Sequence, residues 1–151
     1  MGEGRPVPLS KQKPPTWFWA VAVVLLLWAA AGVFAFYAHM TVDATALAAM
    51  SDYDRASYVK LPAWFSFVYA LAVLPALAGS VALLLRSKFA WLLYGLSLIG
   101  VIVQFGWVFG ATDLIAVKGA AATVPFPLFI FLMAVVQVWF AGIAIKRRWI
   151  S

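Results

Sequence analysis

Hydrophobic residues along the chain form four long runs, separated by short polar segments. Each run can cross a hydrocarbon layer of about 30 Å as an α-helix, which rises about 1.5 Å per residue. The turn at residues 86–88 is so short that the helices on either side of it must be antiparallel neighbours. The pattern predicts an all-α polytopic membrane protein. Its four transmembrane helices form an antiparallel bundle and span about residues 17–39, 62–85, 89–111 and 125–145.

The polar stretch over residues 40–62 is the longest interruption of this pattern. Ser51 followed three residues later by Asp54 is typical of a helix N-terminus. When the stretch is wound as a helix, five of its residues fall on one side and form an apolar face. We therefore predict a bent, amphipathic pair of short helices in this external loop, here called the cap. The residues on its apolar side are Val42, Ala46, Ala49, Met50 and Tyr53.

Prolines mark the borders of several predicted elements. Residues 1–16 contain four prolines and two glycines, which disfavour a packed element and predict a disordered basic tail. Pro62 and Pro125 suit the first turns of the second and fourth helices. Pro75 lies inside the second run and predicts a kink, which membrane helices tolerate.

The composition supports a membrane protein, since 66% of the residues are hydrophobic and 11% are charged. A soluble domain has about a quarter of its residues charged. A signal peptide is the alternative for the first run, but its apolar region would be about 7–15 residues long and would end in small residues. A retained helix is therefore expected. The chain contains no Cys, which excludes disulfides and Cys-ligated metals.

Lysine and arginine are unequally distributed between the two ends of the predicted bundle. Eight lie in the tail, the 86–88 turn and the C-terminal end, and three lie in the other links. Because cytoplasmic segments carry the excess of Lys and Arg, we predict cytoplasmic termini and a cap that faces the periplasm or cell exterior. This rule accounts for the net charge of +6 without nucleic acid as a partner. The expected partners are the lipid bilayer and anionic lipid head groups, the latter at the basic clusters 86–88 and 146–148.

Three polar residues within the spans are candidates for a functional site. Gln104 and Gln137 are the only amides there, and they are expected at different depths. Ser97 is expected at about the depth of Gln137 and is a candidate hydrogen-bond partner for it. One interpretation is structural bonding between helices, worth about 0.6 kcal/mol on average. The other is a polar lining for a solute path.

His39, Asp43 and Asp113 are candidates for a site at the outer end of the bundle. His39 is the only histidine, and Asp43 follows one helical turn later, which would allow a proton-linked pair. The alternative for His39 is an interfacial position in contact with water. The sequence has no nucleotide-binding loop, metalloprotease motif or serine nucleophile elbow. No catalytic residue, cofactor or metal site is therefore predicted.

Small residues recur at four-residue intervals, a pattern that lets membrane helices approach closely. Packing within the bundle is the expected role, and a homodimer face formed by two glycines of the third run is the alternative. The positions are Ala31 and Ala35, then Ala72, Ala76 and Ser80, then Gly106 and Gly110.

Several of these features together resemble a family of small four-helix bacterial inner-membrane proteins, whose members are often labelled sugar transporters. The resemblance covers about residues 16–149. It implies a bacterial inner-membrane location, and it assigns no binding residues that could be transferred. The residues that carry it are Trp28, Gly32 and Val33, the segments 40–50 and 83–88, Tyr58, Pro62 to Trp64, and Ser97 to Gln104.

Two functions are consistent with the sequence. The first is a non-enzymatic accessory or scaffold subunit, acting through protein or lipid partners in a homo-oligomer or larger membrane complex. An apolar interior without a charged pathway favours this function. The alternative is an oligomeric transporter of a small solute, with sugar suggested by the family label and Gln104, Gln137 and Ser97 as its polar lining.

Overall fold

The computed structural model describes residues 12–151, which form eight helices and no strand. Four of the helices are long and apolar enough to cross a membrane. This confirms the predicted all-α, four-span membrane protein. Most of the tail predicted for residues 1–16 lies outside the described residues. The helices are α1 (Thr16–Met40), α2 (Ala44–Ala49), α3 (Asp52–Val59), α4 (Phe65–Leu84), α5 (Phe89–Ala111), α6 (Leu114–Lys118), α7 (Ala120–Thr123) and α8 (Pro125–Lys146).

The four long helices form a bundle around a common centre. α4 packs against α1 and α5, and α8 packs against α5. α1 and α8 meet mainly through aromatic side chains. The rings of Trp28 and Phe129 lie 5.3 Å apart, and Phe18 stacks on Phe140 at 5.6 Å. The seam between α1 and α8 is therefore bridged by large side chains rather than closed by tight backbone contact.

The closest helix contact joins α4 to α5 at Gly100. A Cβ atom at this position would lie 2.6 Å from the backbone nitrogen of Ala72, so only glycine fits. Ala72, Ala76 and Ser80 are buried, which confirms the packing role predicted for them. The predicted small-residue spacing on α4 therefore works together with a glycine on α5.

The other small-residue positions behave differently. Nothing lies within 4 Å of a Cβ built at Gly106 or Gly110, and both glycines are exposed on α5. Ala31 and Ala35 are also exposed. The expected packing within the bundle does not occur at these four positions, because the helix faces that carry them have no neighbouring helix in close contact.

A dense apolar core fills the half of the bundle next to the chain termini. Phe18, Leu83, Tyr94 and Ile150 are almost fully buried there. The hydroxyl groups of Ser80 and Tyr94 form a buried hydrogen bond of 2.7 Å. At the next level the fully buried hydrophobic residues are only Ala72, Val101 and Ala134, and the larger residues packed against them, such as Phe105 and Ile130, are partly buried. Packing therefore becomes thinner toward the middle of the bundle.

Residues 12–15 and 147–151 lie at one end of the bundle, here called the terminal end, where Arg86 links them. Its guanidinium donates to the carbonyls of Trp149 at 2.8 Å and Gln12 at 2.6 Å. The backbone N–H of Gln12 donates to the carbonyl of Arg148 at 2.7 Å. Residues 12–15 thus lie against the bundle, unlike the disordered tail predicted for residues 1–16. A single arginine connects three segments that are far apart in sequence.

The cap has the predicted form of two short helices with a bend. The carboxylate of Asp43 accepts from the backbone N–H of Ala46 at 2.8 Å and starts α2. The hydroxyl of Ser51 accepts from the N–H of Asp54 at 3.1 Å and starts α3. The capping signal read from the sequence therefore forms in the structure.

Two boundaries at the cap end differ from the sequence prediction. The second predicted span, which is α4 in the structure, begins at Phe65 rather than at Pro62. Residues 63 and 64 form a turn instead, in which the N–H of Phe65 donates to the Pro62 carbonyl. The link over residues 112–124 forms two short helices, α6 and α7, that were not predicted. They are separated by Gly119, whose φ of 85° favours glycine.

Candidate functional site

A cavity of about 190 Å³ lies at the middle of the bundle, beyond the dense core. All four long helices line it, and most of the lining is apolar. The three polar residues predicted for a solute path, Ser97, Gln104 and Gln137, lie on its walls. The structure therefore brings the three predicted residues to one place. Trp28 and Tyr69 also line the cavity, and the sequence analysis did not assign Tyr69 to this site.

Ser97 is buried and its hydroxyl donates to the carbonyl of Ala72 on α4. The expected hydrogen bond between Ser97 and Gln137 does not form. The reason is the close contact at Gly100, one turn away on α5, which brings the α4 backbone within reach of the short serine side chain. The Ser97 hydroxyl thus supports the α4–α5 contact and has no proton left to donate to a ligand.

Gln137 is 2% exposed and Gln104 is 7% exposed. The Nε2 atom of Gln137 is buried and has no hydrogen-bond partner among the described residues. Leaving a buried donor unpaired costs about 1–3 kcal/mol, so a hydrogen-bond acceptor beside this atom would be favourable. Gln137 thus has a fully buried N–H group that is free to donate to an acceptor.

The chemistry of the cavity limits what it can hold. An apolar cavity of about 150 Å³ is known to accept benzene, so this one is large enough for a small molecule. A sugar would carry several hydroxyl groups into walls that offer few free polar groups. Each hydroxyl buried without a partner costs about 1–3 kcal/mol. The cavity therefore suits small apolar molecules better than sugars.

The candidate residues at the outer end have separate partners. His39 lies in an aromatic cluster, with its ring 5.3 Å from Tyr58 and 5.1 Å from Tyr69. Asp43 caps α2, and Asp113 accepts a hydrogen bond from the Tyr53 hydroxyl at 2.8 Å. Within residues 12–151 no group of three His, Asp or Glu side chains could hold a metal ion. The three residues share one end of the bundle, but they do not form one site.

The cap is held internally by Arg55. Its Nε donates to the carbonyl of Leu47 at 3.1 Å, and its Nη2 donates to the carbonyls of Ala48 and Met50 at 3.1 and 3.0 Å. A positive charge at these last carbonyls of α2 also interacts favourably with the helix dipole. Nη1 forms an ion pair with the exposed Asp52. Arg55 therefore fixes the bend between α2 and α3.

Two side-chain contacts tie the cap to the link over residues 112–124. Tyr53 donates to Asp113, and Lys118 forms an ion pair with Asp54. The Lys118 hydrogen bond holds the pKa of Asp54 below its usual range. Tyr58 adds a third contact by donating to the main-chain carbonyl of His39 at 2.8 Å. The cap is thus anchored to both neighbouring segments.

Basic side chains surround the terminal end. Lys88, Lys146, Arg147 and Arg148 are exposed, whereas Arg86 is half-buried against the carbonyls that it binds. The guanidinium of Arg147 lies 5.7 Å from the ring centre of Trp149, a cation–π geometry. The free positive charges are therefore those of the exposed residues.

In the comparisons with known proteins, no protein-family model, curated protein or solved structure matches the chain. The resemblance to small bacterial inner-membrane proteins therefore stays a prediction.

Proposed function

We propose that the protein is a non-enzymatic accessory or scaffold subunit of a membrane, acting through protein and lipid partners. The observation that carries this proposal is the ordered cap. Arg55 fixes its bend, and Tyr53 and Lys118 tie it to the second link. A surface that is ordered before binding loses less conformational entropy when a partner binds. The cap is thus suited to docking a second protein.

The location that we propose is the bacterial inner membrane, with the terminal end in the cytoplasm. The excess of Lys and Arg at that end supports this orientation. Lys88, Lys146, Arg147 and Arg148 would then face anionic lipid head groups. Each basic residue near such a surface contributes about 1 kcal/mol of attraction. We therefore propose that these four residues, and not Arg86, contact the anionic lipid head groups.

Gly106 and Gly110 support self-association as one form of partnership. Both are exposed at four-residue spacing on the membrane-facing side of α5. Such a spacing lets two helices approach closely. A homo-oligomer that joins the bundles along this face would leave the cap and the terminal end free for other contacts.

Crosslinking and pull-down from native membranes test the accessory role. We expect specific crosslinked partners with the natural chain and about three- to tenfold lower recovery after the double substitution Tyr53→Phe and Lys118→Met. This range corresponds to the loss of one or two surface contacts of about 0.5–1.5 kcal/mol. Lys60→Met is the matched control, because Lys60 is an exposed cationic residue of the same region. A protein that runs alone, with no crosslinked partner, would contradict the proposal.

A small-solute transporter is the second candidate, and the cavity is the observation that favours it. Gln104 and Gln137 would line the path. The label of the resembled family suggests a sugar, which the apolar walls disfavour for the reason given above. Uptake into proteoliposomes that is lost in Gln137→Leu and Gln104→Leu would support transport. Uptake that is equal to that of empty liposomes would exclude it for the solute tested.

A further inference from the structure

The central cavity opens toward the lipid. Ala31 and Ala35 line it from α1 and are exposed, and Phe126 lines it from α8 and is 66% exposed. These residues flank the seam where α1 and α8 lack close backbone contact. A molecule dissolved in the bilayer can therefore reach the cavity without crossing the dense core at the terminal end.

One side chain on the cavity wall has a fully buried hydrogen-bond donor without a partner among the described residues. Gln137 is 2% exposed, and its Nε2 atom makes no hydrogen bond within residues 12–151. The terminal torsion of a glutamine side chain has a broad energy profile. The amide can therefore turn its N–H groups toward the cavity without moving the α8 backbone. Ser97 is excluded as an alternative donor because its hydroxyl is bound to Ala72.

We propose that this cavity binds a small, mainly apolar molecule that carries one hydrogen-bond-accepting oxygen, and that Gln137 donates to that oxygen. Small ketones and ethers belong to this class. The proposal goes beyond the accessory role and does not depend on it.

Three properties of the site select this class of ligand. The walls are mostly apolar, so the body of the ligand must be apolar as well. No Asp, Glu, Lys or Arg lies among the lining residues, so a charged ligand would be desolvated without a counter-ion. The unpaired Nε2 of Gln137 can donate a hydrogen bond, so the ligand should carry an acceptor. A hydrocarbon would leave it unpaired, and a sugar would introduce more hydroxyl groups than the walls can bind.

The test compares two probes of similar shape, para-fluoroacetophenone and para-fluoroethylbenzene, observed by fluorine NMR with the full chain in lipid nanodiscs. Nanodiscs without protein give the partitioning of each probe into lipid. We expect saturable binding of both probes, with the ketone bound about three- to tenfold more tightly. This ratio is the contribution of one additional hydrogen bond.

Substitutions locate the effect. Gln137→Met keeps the length of the side chain and removes the amide, so it is expected to eliminate the preference for the ketone while the hydrocarbon still binds. Val136→Met is the matched control, because Val136 is the neighbouring residue and is 41% exposed. Ala134→Leu reduces the cavity and is expected to weaken the binding of both probes. If Ala134→Leu lowers stability, the comparison of Gln137→Met with Val136→Met still decides the question.

Three results would overturn the proposal. They are no saturable binding of either probe, equal affinity of the natural chain for both probes, and a preference for the ketone that survives in Gln137→Met.

Discussion

Arg86 and Arg148 adopt the same uncommon backbone conformation for different purposes. Their φ angles are 59° and 58°, in the left-handed region that glycine usually occupies. Each residue follows a long helix, and the next N–H bonds back to a carbonyl of the last turn, as in a Schellman motif. The donors are Ser87 to Ala82 and Trp149 to Ala144. Within residues 12–151, Arg86 is the one of the two whose side chain also forms hydrogen bonds across the terminal end.

This difference predicts stability changes of opposite sign. Arg148→Gly should stabilise the protein by about 0.5–1 kcal/mol, because glycine tolerates the left-handed conformation. Arg86→Gly should destabilise it by about 1–3 kcal/mol, because the lost guanidinium hydrogen bonds outweigh the same backbone relief. Thermal or denaturant unfolding in detergent micelles measures both variants. Shifts of the same sign would show that the Arg86 hydrogen bonds contribute little.

At the residue scale, the polar residues within the spans can be predicted from the sequence, whereas their hydrogen-bond partners cannot. Gln104 and Gln137 are the only amides in apolar spans, and this isolation marks them in the sequence. The partner of Ser97 could not be predicted, because it depends on how closely α4 approaches α5 at Gly100. The contribution of Tyr69 to the cavity was missed for a related reason. It depends on which face of α4 turns toward the centre of the bundle.

At the scale of the elements, the cap shows how local signals combine with long-range contacts. The Ser51 capping signal, read from neighbouring residues alone, forms as predicted. The contacts from Tyr53 to Asp113 and from Lys118 to Asp54 join segments about 60 residues apart. The short helices α6 and α7 were missed because their five and four residues are too few to show a periodic pattern. Local helix signals were therefore predictable, and the tie between the two links was not.

The contact between Lys118 and Asp54 makes the cap sensitive to acid. The pKa of Asp54 is below its usual value because of the Lys118 hydrogen bond. A carboxylate whose folded-state pKa is lowered stabilises the fold above the unfolded-state pKa of about 3.9. This contribution is lost as the pH falls through the lower folded-state pKa. We therefore expect the contact between Lys118 and Asp54 to persist between about pH 7 and 5, and the cap to loosen below about pH 4 as this contact is lost.

An NMR titration of the α3 amide signals measures this loosening. Asp54→Asn should remove the acid-dependent step, since the asparagine side chain does not titrate. Asp52→Asn is the matched control, because Asp52 is fully exposed and pairs only with Arg55 in its own helix. An acid transition that is identical in Asp54→Asn would assign the effect to a different group.

At the scale of the whole molecule, the packing is uneven along the membrane normal. Large side chains such as Phe18, Tyr94 and Phe140 fill the terminal half, whereas the middle contains a cavity to which six alanines and Gly32 contribute much of the lining. The hydrophobic runs predict the four spans well, and α5 has the predicted bounds of residues 89 and 111. They do not predict the cavity, because its volume depends on how side chains from four helices meet. An apolar run alone does not contain that information.

The accessory role, the lipid contacts and the cavity have all been argued for a chain that crosses the membrane four times. The cap and the terminal end lie on opposite sides of the bundle, and the terminal end is proposed to be cytoplasmic. The chain contains no cysteine, so a single introduced cysteine is a unique label for either end. Ala56 in the cap and Ser151 at the C-terminus are both exposed and uncharged.

The most direct test is the labelling of intact bacterial cells, permeable only at the outer membrane, with a membrane-impermeant maleimide. Ala56→Cys is expected to react from outside, and Ser151→Cys is expected to react only after the inner membrane is permeabilised. The reverse pattern would invert the proposed orientation. The four-span architecture places three membrane crossings, α4, α5 and α8, between Ala56 and Ser151, so the two positions must face opposite sides of the membrane. Labelling of both positions from the same side would therefore contradict that architecture.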